Sequence, residues 1–350
     1  MRVPLSEDLD ATWFADVVGT PSDAVVSRSD VGSGQVAHCY RYEIRSGEVV
    51  SSFVVKVPST DVTSRATAAA QRLYLRETSF YRHLAPRIAT RTPFCYVSMR
   101  DEDDSFLLLL EDVSPAGSVD QFAGLTINQA REGLRQLAHL HAATLNDSEL
   151  HTAEWLTGYS RDVAPVVRTI LPSLFDQFLD RYAGDIDEET RTVVTELRGR
   201  LELFSGYTTP HPAVQHGDFR TDNLLFDAKG GEVPMVVVDW QTVAVGSPLL
   251  DVAYFVVTSL SAGDCEELDE GLLAFYLDFL EGLGGRLDRD VARAEFARYT
   301  LQPVVMLVAA SIIVERTERG DRMFLSMIRR AVTAARRWKA LEELDRGAAS

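Results

Sequence analysis

His216, Asp218, Arg220, Asp222 and Asn223 fall within eight consecutive positions, in the stretch HGDFRTDNLLF at 216–226. Surface turns carry polar residues this densely, but they rarely run straight into Leu-Leu-Phe. The order is His-x-Asp-x-x-x-x-Asn, and Asp239 follows sixteen residues after Asn223, at the end of the apolar run MVVVD. Moving a phosphoryl group from a nucleotide to a hydroxyl needs few kinds of part. A base orients the acceptor, carboxylate and amide oxygens hold a divalent cation, and a lysine fixes the α- and β-phosphates. Asp218 has the type and place of the base, while Asn223 and Asp239 have those of Mg²⁺ ligands. The intervening LLFD, turn and strand would form a hairpin that brings Asn223 beside Asp239.

The remaining parts stand upstream in the matching order. Lys56 lies in FVVKV, where a charge among valines is costly unless it is paired. Glu77 is the only carboxylate between Asp61 and Asp101, so it is the sole partner the following helix offers. Gly32, Ser33 and Gly34 form a short loop whose amides would cover phosphates, with a simple hairpin turn as the plainer reading. The run LLLLEDV leads out of the first region, and its backbone at Glu111 and Val113 would bind adenine. These parts together call for ATP and Mg²⁺.

The elements that must position these residues divide the chain in two. Residues 24–57 alternate in β-rich runs separated by GSG and RSGE, a pattern of antiparallel strands joined by a loop and a tight turn. A helix over 64–85 and two more strands, YVSMR and FLLLLEDV, complete a compact sheet with one covering helix. Beyond SPAGSVD, helical spacing dominates at 126–146, about 165–183, 187–203, 265–282, 288–315 and 321–344, interrupted only at 214–257. The reading is α+β: a bilobal fold with a small antiparallel N-terminal sheet, residues 1–113, and a large mainly helical part, residues 114–350. The first part would take the nucleotide. The second would carry the catalytic loop, the metal site and the acceptor pocket.

Charge narrows the partners. With 52 acidic against 35 basic residues the chain carries −17, which opposes nucleic acid and anionic membranes. The N-terminal MRVPLSEDLDATWFADVV lacks the basic start and apolar block of a secretory signal, and the uncharged run between Arg298 and Glu315 reads as a buried helix. Cys39, Cys95 and Cys265 are scattered and odd in number, which suits a reducing cytoplasm. His139 and His141, two apart on a helix, would face different directions. Arg329, Arg330, Arg336, Arg337 and Lys339 give the last helix a basic face, read as a solvated surface in preference to an anion or membrane contact.

The motifs ETSFY, LAHLHA (137–142), HGDFRTDN and VVVDWQTVAVGSPLLDVAYFV (236–257) resemble those of the aminoglycoside phosphotransferase and choline kinase superfamily. The resemblance is greatest to its ecdysteroid-kinase-like branch and covers roughly residues 25–320. It implies a protein-kinase-like fold and ATP-dependent phosphorylation of a small-molecule hydroxyl. Asp218 and Asn223 then match the spacing of a kinase catalytic loop, and Asp239 stands where protein kinases have the Asp of Asp-Phe-Gly. Two departures stand out. The glycine loop is only GSG, and Arg220 occupies the position where protein kinases carry a lysine. Arg220 would either neutralise the γ-phosphate in the transition state or pair with Asp222 or a helix carboxylate. His216 would support the loop, and Asp251 would brace its backbone from a buried helix start. A catalytically inactive nucleotide-binding or scaffold protein of the same fold is the alternative reading, against which stand Lys56, Asp218, Asn223 and Asp239 together. The acceptor class, aminoglycoside, choline or steroid-like alcohol, is not legible in the sequence.

Overall fold

Valine, tyrosine and isoleucine alternate with polar residues along 37–58, and the chain pairs there over its full length. The computed structural model describes residues 3–32, 36–102, 105–120, 123–156 and 168–348. Five strands, β1 (Val25–Asp30), β2 (Ala37–Ser46), β3 (Val49–Pro58), β4 (Cys95–Arg100) and β5 (Phe106–Glu111), form one antiparallel sheet in the order β1-β2-β3-β5-β4. The β2–β3 register runs from Ala37 opposite Pro58 to Ser46 opposite Val49. Gly47 closes that hairpin with φ +60°, a conformation glycine adopts at little cost.

Because strand side chains alternate, the sheet needs cover on both faces. On one face Tyr42, Ile44, Phe53, Val55, Leu107 and Leu109 pack with Phe14 of the helix Ala11–Val18. On the other, Tyr74 meets Phe106 with ring centroids 4.5 Å apart. The single covering helix expected from sequence is therefore joined by a second at the N-terminus, started by Asp10 accepting from Trp13 N and stopped by left-handed Gly19. The expected helix over 64–85 is broken. Val62–Ala70 ends before Arg72, at φ +56°, and Leu73–Ser79 continues into a wider π-helical turn at Phe80–Leu84.

The chain forms two compact units: Met1–Gly117 with Leu225–Val243, and Ser118–Leu224 with Ala244–Ser350. The cut at 113/114 read from sequence left out this return. The returning segment carries β7 (Leu224–Ala228) and β8 (Val233–Val237), paired as a hairpin. It joins the first unit through Val113, Ala228 and Val236 in one apolar cluster, through the Gly117–Phe226 bridge, and through Val237 N donating to Arg91 O. Trp240 stacks on Phe80 at 3.9 Å, which fixes the position of Asp239 beside it.

In the second unit, β6 (Ala213–Gln215) pairs with β9 (Ala244–Gly246). The helix Pro248–Ser259 follows, buried on nearly every side, with Ser247 capping it and Pro248 at its first turn. Helix Ile127–Thr144 approaches it closely: a Cβ on Gly133 would lie 2.4 Å from the Phe255 ring. The expected helices 288–315 and 321–344 are each two. Arg289–Tyr299 and Gln302–Ile313 are parted at Thr300 and Leu301, with Pro303 in the first turn of the second. Glu318–Arg337 and Ala340–Ala348 are parted near Lys339, at φ +52°. The span Arg289–Ile313 is long and apolar enough to cross a membrane by length and composition, yet 67% of its apolar window is buried in the fold.

Candidate active site

Lys56 occupies β3 between Val55 and Val57, opposite Cys39 on β2 and Leu108 on β5. Valine flanks hold its stem in the sheet, and its ammonium finds two carboxylates. Lys56 Nζ lies 2.8 Å from both oxygens of Glu77 and 2.8 Å from Asp239 Oδ1. Burial opposes the Lys56 charge, but Asp239 and Glu77 outweigh it and raise its pKa above the ordinary lysine value. At Glu77, 1% exposed, burial raises the pKa against the pull of Lys56. Trp240 N also donates to Glu77 Oε1, at 3.3 Å.

Asp239 takes a left-handed backbone, φ +65°, uncommon for a residue with a Cβ. Its Oδ1 engages Lys56, and Oδ2 accepts from Gln241 Nε2 at 3.3 Å. The linker is held down by side chains. Arg91 grips both oxygens of Glu111 at 2.9 Å, while Arg41 and Ser52 donate to Asp112 at 2.7 and 2.5 Å. Val113 O accepts from Lys229 N at 3.0 Å, a bond in which its own N–H takes no part. Gly32 adopts φ +71° with open space where a Cβ would stand. Ser33 and Gly34 lie outside the described residues.

In the second unit Asp218 is the centre of a separate group. Asn223 Nδ2 donates to Asp218 O at 2.8 Å and to Oδ2 at 3.0 Å, because a single helical turn, Thr221–Asn223, folds the amide back onto the loop. Arg220 Nε donates to both Asp218 oxygens, at 3.1 and 3.3 Å, and its Nη1 pairs with Asp222. Asp218 keeps 25% of its side chain accessible, and the packed surroundings raise its pKa in spite of Arg220. A carboxylate with a raised pKa is a stronger base.

Helix Pro248–Ser259 holds this loop from beneath. Asp251 accepts from His216 N at 2.6 Å and from Gly217 N at 2.9 Å, and His141 Nε2 lies 3.4 Å from the same carboxylate. His141 Nδ1 in turn meets Tyr276 OH at 2.8 Å. Phe255 packs on Phe219 at 5.1 Å, and burial together with the charge of nearby Asp218 raises the Tyr254 pKa. His216 Nδ1 accepts from Asp218 N at 3.3 Å, a supporting place in the loop. His139 packs on Phe279, facing away from His141.

The sequence profile of the ecdysteroid kinase-like family matches residues 35–287, which contain every one of these residues except Gly32, Ser33 and Gly34. The chain belongs to the ecdysteroid kinase-like family. Its fold is that of known kinases. Wild-type aminoglycoside 2'-phosphotransferase-IIIa, solved with GDP, is 15% identical with a TM-score of 0.53, over 92% of this chain and 97% of that one. A microcompartment-associated aminopropanol kinase is 14% identical with a TM-score of 0.51, over 95% and 98%. A thermostable variant of aminoglycoside phosphotransferase APH(4)-Ia, in ternary complex with ADP and hygromycin B, is 16% identical with a TM-score of 0.51, over 93% and 97%. No curated protein matches the sequence. The fold is thus bilobal and protein-kinase-like, with an antiparallel N-terminal sheet and a helical C-terminal part.

In this ecdysteroid kinase-like protein the structure joins Lys56, Glu77 and Asp239 in one unit, and Asp218, Arg220 and Asn223 in the other. Arg220 bonds both Asp218 and Asp222, so its ion pair with Asp218 is one the sequence reading did not weigh. That reading also missed Tyr254 and Asp112. Tyr254 stands three residues after Asp251, on the same helical face, so the helix period was the signal that would have found it. Asp112 had no such signal, because its partners Arg41 and Ser52 are far away in sequence.

Proposed function

We propose that this protein transfers the γ-phosphoryl group of ATP to a hydroxyl of a small molecule. The observation that carries the reading is the simultaneous pairing of Lys56 with Glu77 and Asp239. A buried lysine held by two carboxylates is poised to exchange one of them for phosphate oxygens. The residues fit a magnesium nucleotide by the chemistry of their donors. Asp239 offers a carboxylate and Asn223 an amide oxygen, with its Nδ2 committed to Asp218, and hard oxygens are what Mg²⁺ takes. Bound there, Mg²⁺ would supply neutralisation of developing phosphate charge.

The chain's own residues do the rest in this proposal. Lys56 fixes the α- and β-phosphates, with Glu77 holding its ammonium in place. The Val113 N–H and the Glu111 carbonyl bind adenine from a linker immobilised by Arg91, Arg41 and Ser52. Gly32 begins the loop of Gly32, Ser33 and Gly34 that lays amides over phosphates. Asp218 accepts the acceptor hydroxyl proton on a carboxylate oxygen while Asn223 and Tyr254 hold that oxygen in position. Arg220 leaves Asp218 to face the transferring group. The first unit accordingly takes the nucleotide and the second the acceptor, and the protein works in the cytoplasm, where Cys39, Cys95 and Cys265 stay free thiols.

Thermal unfolding with and without Mg-ATP tests the reading. A stabilising shift is expected in the wild type, with a much smaller one in Lys56→Ala. No shift at millimolar nucleotide would remove the kinase reading. A screen of ATP consumption over alcohols, amino sugars and sterols, with product mass showing one added phosphoryl group, then identifies the acceptor.

A further inference from the structure

The basic face of the helix Glu318–Arg337 was read from sequence as solvated, and one cation on it, Arg330, is half-buried instead. Ser326, Arg330, Thr333 and Arg337 recur at intervals of four, three and four, so they share one face of that helix. With Cys265 and Asp269 of the helix Ala262–Gly282 they line a cavity of about 250 Å³ in the second unit.

The charges in this cavity do not cancel evenly. Asp269, 1% exposed, is already satisfied: Arg337 pairs with it and Trp338 Nε1 donates to it at 2.6 Å. Glu266 is exposed at the margin. Arg330 is half-buried, yet it has no carboxylate partner among the described residues. Its Nη1 donates to the carbonyls of Thr258, in the last turn of the helix Pro248–Ser259, and of Leu260 just after it. Its Nε and Nη2 form no hydrogen bond among the described residues. Burial lowers its pKa, the sign of a cation short of compensation. A guanidinium with a free donor edge, beside two hydroxyls, has the geometry that takes a tetrahedral oxyanion.

We propose that this cavity is a binding site for a phosphate group, held by Arg330 and the hydroxyls of Ser326 and Thr333. The site is independent of the kinase reading, since none of its residues belongs to either group described above. Its floor, Arg330, is tied to the same helix that carries Asp251 and Tyr254. Two sources share this chemistry: inorganic phosphate and the phosphomonoester of a small metabolite.

Calorimetric titration of the full-length protein, in chloride buffer without nucleotide, tests the site with inorganic phosphate and glycerol 3-phosphate as probes. The wild type should show saturable binding, and Arg330→Gln should weaken it by about tenfold or more. Ser326→Asp, which places a carboxylate in the cavity while leaving the carbonyl bonds of Arg330 intact, should do the same. It keeps the test valid if Arg330→Gln fails to fold. Lys56→Ala should bind as the wild type does. Tighter binding of glycerol 3-phosphate assigns the site to a phosphomonoester, and equal or weaker binding assigns it to free phosphate. Absence of saturable binding in the wild type, binding that survives in Ser326→Asp, or binding that is lost in Lys56→Ala would each overturn the proposal.

Discussion

Asp218 and Asp239 are both carboxylates of the candidate site, but their surroundings differ, and the proposed function gives them different work. Asp239 touches Lys56, whereas Asp218 touches Arg220 and Asn223 and lies near Tyr254. Asp239→Asn should therefore damage Mg-ATP binding as well as turnover. Asp218→Asn should leave nucleotide binding nearly intact while turnover falls by ~10²-fold or more. Nucleotide titration beside steady-state kinetics separates the two, and equal loss of binding in both variants would refute the assignment. Arg220 and Tyr254 differ in a second way. Arg220→Ala should lower kcat more than it raises KM for ATP, because its charge acts on the transferring group. Tyr254→Phe removes the hydroxyl near Asp218 and should lower kcat by about tenfold with KM for ATP unchanged. A raised KM with kcat intact in either variant would return that residue to a purely structural place.

At the scale of elements, one buried helix carries much of the second group. Pro248–Ser259 presents Asp251 to the amides of His216 and Gly217, Tyr254 to Asp218 and Phe255 to Phe219. Its position depends on Gly133, since any Cβ there would meet the Phe255 ring at 2.4 Å. Gly133→Ala gains helix propensity of ~1 kcal/mol but overpacks this contact. The net expectation is a loss of about 1–3 kcal/mol in denaturant unfolding, with turnover falling too as Phe219 and Asp218 shift. A variant as stable as the wild type would show that the two helices part without consequence. The corresponding element in the first unit is β3, whose ladder to β2 and β5 fixes Lys56, while the Trp240–Phe80 stack fixes Asp239.

Across the whole molecule, the three cysteines report on burial in both units. Cys39 and Cys95 belong to the first unit and Cys265 to the second, and all are free thiols. Burial pushes Cys95 and Cys265 up to about 12, and Cys39 is raised as well, by burial against the pull of Lys56. At pH 8 only about one Cys95 or Cys265 in ten thousand is then ionised, against roughly a quarter of an ordinary free thiol. A thiol-specific chromogenic disulfide should react slowly with native protein at pH 8 and rapidly with all three cysteines after denaturation. Prompt reaction of three thiols in the native protein would contradict the packing around them.

The sequence alone determined the class of fold and proposed the parts of the candidate site and their order. Those depend on local information: the five-residue interval from Asp218 to Asn223, a lysine among valines, and the change from strand to helix periodicity after residue 113. Glu77 was legible because no other carboxylate lay on its helix. Tertiary structure decided what local patterns do not encode. The return of 225–243 to the first unit depends on Val113, Ala228 and Val236 packing together from distant places in the chain. The breaks at Arg72, Thr300 and Lys339 interrupt runs whose composition reads as continuous helix, because packing overrides propensity. Asp112 and Arg330 find partners 60 or more residues away, at separations where spacing carries no signal and only folding brings the groups together.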